Sequence, residues 1–144
     1  MKIIPIVTRH FVKNEDLNHH GTLFAGRIAE WFVEAGLMTA ATFIPADNIV
    51  LLNINNATIY NPIELGDIAI FTGKIVLTGK TSLVVHLSIN VADKEIAKGF
   101  ITFICVNKDM RPIAHGIEIE VESEEDLALQ NRAIELRKIA ILKE

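Results

Sequence analysis

Between Thr22 and Phe43 the apolar residues recur at helical spacing. Ile28, Trp31, Phe32, Leu37 and Met38 cover more than one stripe of such a helix, and Ala25, Ala29, Ala35, Ala40 and Ala41 favour its formation. Pro45 stops it. A helix this apolar has to be enclosed by other structure. After it the period changes to two. Residues 49–60, 67–78, 82–91 and 96–106 are rich in Ile, Val, Thr and Phe and predict four long strands. The connectors at 61–67, 78–81, 92–95 and 107–112 carry turn residues. Residues 6–13 have β character too, and 14–21 form a polar loop before the helix.

The chain closes on a second helical stretch. Ser123 can cap it, and Glu124, Glu125 and Asp126 suit its positive start. Leu127, Ile134 and Ile141 fall at heptad spacing, which predicts a stripe packed on the body or on another subunit. Strands that follow one another through short turns pair antiparallel. The order therefore predicts an α+β domain over 1–121, one antiparallel sheet wrapped around the long helix, with a helical extension over 122–144.

Composition narrows the function. A chain of 144 residues builds one domain with a real core. Its mean hydropathy of +0.33 is high, yet no apolar run approaches the ~18 residues that span a bilayer. The surplus points to a subunit interface. A net charge of −4 leaves no broad basic field for nucleic acid. Cys105 is the only cysteine and "MKIIPIV" is too short for a signal peptide, so a cytoplasmic setting is expected. Cys105 lies in an apolar strand and reads as a packed thiol. His86 alternates with apolar residues on its strand and reads as solvent-facing. Adjacent His19 and His20 make a poor chelate, no ligand spacing surrounds them, and no metal is expected. "GKTS" at 79–82 precedes a strand and lacks the upstream glycine of a P-loop.

Four segments in order, "NHHGTLFAG", "EWFVEAG", "YNPIELGD" and "TGKTS", resemble the hotdog-fold acyl-CoA thioesterases, in particular their acyl-CoA hydrolase group. The similarity runs from about Thr8 to His115, with the first segment the most specific. It implies a hotdog fold, hydrolysis of acyl-CoA to free acid and CoA without a cofactor, and homodimers joined edge to edge that can assemble into hexamers. It also leaves two other readings, a non-catalytic acyl-CoA binder and another CoA-thioester enzyme such as a hydratase or ammonia lyase.

Thioester hydrolysis needs activated water, a polarised carbonyl and a held substrate. Amides near the helix start, around Gly21, Thr22, Leu23 and Phe24, suit the carbonyl, and Gly26 would admit the thioester close to the backbone. The alternative is that Gly21 and Gly26 serve a tight turn and close packing. The resemblance assigns Asn18 to water positioning, His19 and His20 to the substrate loop, and Lys80, Thr81 and Ser82 to the turn beside CoA. Asn18 is equally suited to ordering a loop. The family carries a helix aspartate where this chain has Val33, and Glu34 follows one place later. One residue turns the helix by about 100°, so Glu34 points elsewhere than that aspartate. Two roles stand for it: a base whose pKa burial would raise, or an ion-pair member with Arg27 and Glu30 on one helix side.

Overall fold

A computed structural model describes residues 1–142 of the protein, with side chains up to residue 139. Five strands form one antiparallel sheet: β1 (Ile6–Phe11), β2 (Ile49–Ile59), β3 (Ile68–Thr78), β4 (Ser82–Val91) and β5 (Lys94–Cys105), in the spatial order β1-β3-β4-β5-β2. Helix α1 (Ala25–Ala41) covers one face and α2 (Glu124–Leu142) the other. The α+β architecture expected from the change of period is the one found.

The long helix begins at Ala25 rather than Thr22 because the residues before it are held extended. Thr22 bridges to Glu64, and Leu23 bridges to Leu17. From Ala25 on, Trp31, Phe32, Ala35, Gly36, Thr39 and Ala40 are buried against the sheet. Their partners include Phe71, Leu87, Ile89, Ile101 and Phe103, each no more than 2% exposed. The approach is close because two glycines permit it. A Cβ on Gly73 of β3 would sit 2.0 Å from Thr39 Oγ1, and one on Gly36 of α1 would sit 2.6 Å from Ile101 Cδ1. Thr39 cannot swing aside freely, since it is buried and its hydroxyl donates to the Ala35 carbonyl at 2.8 Å.

Helix α2 packs on the other side of the sheet, over Val76, Leu77, Val84 and Phe100. Ser123 caps it, accepting from the Asp126 amide at 3.0 Å. The residues that meet the sheet are Leu129, Ala133 and Leu136, with Ile134 beside them. Of the expected stripe, Ile134 packs on the body, Leu127 is 47% exposed in the single chain, and the Ile141 side chain lies outside the described residues. Polar contacts fix the register. Lys74 Nζ lies 3.0 Å from Asp126 Oδ1, and Gln130 donates to the Val76 carbonyl at 3.1 Å. This cover also corrects the reading of His86. It does stand on the outer face, opposite Lys74 and Phe100, but α2 roofs that face and the ring packs edge-on against Phe100. Burial pushes its pKa down to about 4, helped by the Lys98 and Lys74 charges and opposed by Glu95.

Two outcomes follow. G73A should cost roughly 1–3 kcal/mol through overpacking against Thr39, read as a lower denaturant midpoint, while G36A should cost less because flexible side-chain ends can yield. For His86 the folded value, about 4, lies below the unfolded one, 6.5. The unfolded chain therefore binds the extra proton, and stability falls as pH drops from 6.5 towards 4 and levels off below. H86Q should flatten that part of a melting-temperature profile against pH.

Candidate active site

The loop ahead of α1 is built around two side chains. Asn18 Oδ1 accepts from the His20 amide at 2.8 Å and the Thr22 amide at 3.1 Å. Its Nδ2 donates to Thr22 Oγ1 at 3.0 Å. The Asn18 carboxamide thus orders the 18–22 turn, with Gly21 at φ +80° where a left-handed residue is required. Asp16, which sequence reasoning passed over, is the second organiser. Its carboxylate is buried, accepts from the Lys13 amide at 2.9 Å and lies 3.3 Å from Arg27 Nε. That last contact is an ion pair without hydrogen-bond alignment. An acid three residues after Lys13, at the mouth of a loop before a helix, is the signal that could have flagged it.

The amides expected to be free are not. Gly21 N–H donates to the Asn18 carbonyl, Leu23 N–H to Ile63 at 2.8 Å, and Phe24 N–H to Asp16 at 2.9 Å. With the helix starting three residues later, the open donors move as well. Among the described residues, no acceptor faces the amides of Ala25 and Gly26 in the first turn of α1. Leu23 is buried in the core, whereas Phe24 is 55% exposed and its ring lies over Gly26, where a Cβ would sit 2.3 Å from Phe24 Cε1.

Beside this first turn an apolar cavity of about 150 Å³ opens between α1 and the edge strand β2. Ile28, Ala29 and Phe32 line it from the helix, and Ile54, Ala57 and Ile59 from the strand. Ala29 stands one turn after Ala25, so the open amides at the start of α1 lie close to the helix wall of the cavity.

Glu34 lies elsewhere. Nine residues from Ala25 turn the helix by about 180° and advance it by about 13 Å, so the carboxylate leaves α1 on the opposite side. Its Oε1 lies 3.5 Å from His10 Nε2 on β1. The side chain is 49% exposed, so the burial expected of it is absent in the single chain. Arg27 does pair with Glu30 at 3.5 Å, as the spacing suggested, but Glu34 takes His10 instead. His10 was passed over because a strand residue and a helix residue 24 places apart share no sequence signal; only the packing joins them.

The remaining residues fall into two groups. His19 and His20 are exposed beside the loop with rings 3.9 Å apart, and among the described residues no group of His, Cys, Asp or Glu is arranged to hold a metal. Lys80, Thr81 and Ser82 form the β3–β4 hairpin, closed by Gly79 N–H to the Ser82 carbonyl at 2.9 Å. The helix entry sits by the other end of β3, where Ile68 pairs with Phe11. Ten residues at about 3.3 Å each put that hairpin roughly 33 Å away, so one chain does not bring it to the helix start.

No curated protein matches the chain. Solved structures do. A hexameric apo acyl-CoA thioesterase superposes with a TM-score of 0.88 at 21% identity, over 96% of this chain and 92% of that one. The acyl-CoA hydrolase from Staphylococcus aureus, solved with butyryl coenzyme A, coenzyme A and coenzyme A disulfide, gives 0.84 at 21% identity over 96% and 89%. The acyl-CoA hydrolase from Bacillus cereus gives 0.79 at 20% identity over 96% and 91%. Identities this low establish the shared fold. The sequence itself carries the kinship further: a family model described as Thioesterase superfamily matches residues 20–97, more than half of the chain, from the Asn18 turn through α1 to β5. The chain belongs to the thioesterase superfamily.

Proposed function

We propose that this protein hydrolyses acyl-CoA to free acid and CoA. The observation that carries the reading is the pair of open amides at Ala25 and Gly26 close to an apolar cavity. A thioester laid there would put its carbonyl oxygen on two amides and the positive helix end, where negative charge develops as water adds. Its acyl chain would enter between Ile28, Phe32 and β2. Asn18 shapes the turn that holds these amides and remains the water-positioning candidate, with His19 and His20 at its edge.

Water activation falls to Glu34 in this proposal. Glu34 stands about 13 Å along α1 from Ala25 and faces β1 rather than the cavity, so the reaction needs the carboxylate of another copy. A β2–β2 seam alone leaves each Glu34 on its far, β1 side, so the carboxylate has to come through further assembly; the first step of association is supported by the edge strand β2. It is eleven residues long, lies at the end of the sheet, and exposes Leu51, Leu52, Ile54 and Ile59. We therefore propose a homodimer that joins β2 to β2, with further assembly to a hexamer as in the hexameric acyl-CoA thioesterase of the same fold. A neighbouring copy would also be the source of Lys80, Thr81 and Ser82 for the CoA phosphates. The single cysteine supports a cytoplasmic setting.

Val33 favours a second reading. Without an acid at that place the chain could bind acyl-CoA and release no thiol. Incubation with acyl-CoAs of graded length and a thiol reagent separates the two: thiol release supports hydrolysis, and saturable binding without it supports the binder. In the hydrolase, E34Q should lower kcat by about 10²–10⁴ with KM within a few-fold, and full retained activity would remove Glu34 from the mechanism. G26A should leave the melting temperature nearly unchanged, since exposed Phe24 can yield, yet lower kcat about tenfold or more by crowding the open amides.

A further inference from the structure

We propose that His10 is the positioning residue for the Glu34 carboxylate. This rests on the reading of Glu34 as base. His10 lies on β1 opposite Ala69 of β3. Its ring stacks on Trp31 with centroids 4.2 Å apart and planes 3° from parallel. The Phe71 ring meets it edge-on at 5.7 Å, and Trp31 and Phe71 meet each other edge-on at 6.4 Å. Trp31 is 7% exposed and Phe71 1%, so the imidazole is clamped by two rings that are themselves fixed in the core.

The clamp aims one atom. Nε2 lies 3.5 Å from Glu34 Oε1, an ion-pair distance without hydrogen-bond alignment, and among the described residues this is the only polar contact of the His10 ring. Trp31 and Glu34 are three apart on α1, so they present neighbouring side chains to the same strand position. The two therefore act together: Trp31 holds the ring, and the ring holds the carboxylate. Glu34 needs this. A half-exposed glutamate samples many rotamers, and a base that is out of place by an ångström loses most of its rate.

Steady-state kinetics on the full-length protein decide it. H10F keeps the stack on Trp31 but has no donor. H10Q loses the stack but keeps a donor within reach of Glu34. A positioning role predicts that H10F loses about tenfold or more in kcat with KM within about twofold, and that H10Q, which restores the polar partner without the stack, recovers part of that loss. H10N, with too short a reach, should fall with H10F. The E34Q/H10F double variant should be no slower than E34Q, because His10 acts only through Glu34. Trp31 emission and the melting temperature establish that each variant is folded. Wild-type kcat in H10F, equal losses in H10F and H10Q, or losses that multiply in the double variant would each overturn the proposal. If wild type and E34Q differ but H10F does not follow E34Q, only this inference fails. If wild type hydrolyses no acyl-CoA, the thioesterase reading fails and this one with it.

Discussion

An apolar helix has to be seated on the sheet, and the fit between Thr39 and Gly73 sets how closely. With no side chain at Gly73 or Gly36, α1 lies against β3 and β4 near backbone contact. That contact orients the helix about its own axis. Once Thr39, Gly36, Phe32 and Trp31 face the sheet, the two flanks have no freedom left. One looks towards β2 and the other towards β1. The chemistry of this protein is distributed by that rotation.

On the β2 flank are the first-turn amides of Ala25 and Gly26 and the cavity beyond them. On the β1 flank are Glu34, His10 and the rings that clamp it. In the proposed site these two halves lie on different flanks, so a single chain does not close them on one thioester. The exposed apolar residues of β2 mark an edge that would otherwise invite aggregation and that a second copy would cover.

Helix α2 works on the opposite face and answers a different need. Val76, Leu77, Val84 and Phe100 would leave an apolar surface on the outer side of the sheet, and Leu129, Ala133 and Leu136 cover it. The same roof turns His86 from a surface residue into one that resists protonation. Burial of an outward-facing strand position came from an element more than 30 residues away, beyond the reach of strand alternation.

Local periodicity was enough for the architecture: helical spacing from Ile28 to Met38, alternation in four later runs, and turn residues between them determine a sheet and the helix it must hide. Motif order was enough for the family, because those segments are contiguous in the chain. Helix phase and atom pairing were not. Thr22 and Leu23 look helical, yet bridges to Glu64 and Leu17 hold them extended and move the open amides to Ala25 and Gly26. Asp16 reads as one more loop acid until its burial against Arg27 is seen. Ile134 keeps heptad spacing and packs on the sheet, but Leu129, Ala133 and Leu136 pack there with it, which the spacing alone does not give. His10 and Glu34 meet only because a strand and a helix far apart in sequence are packed side by side. Patterns within one element follow from local backbone geometry, so a sequence carries them; which side chains face each other across elements depends on how whole surfaces fit, and only the folded chain decides that.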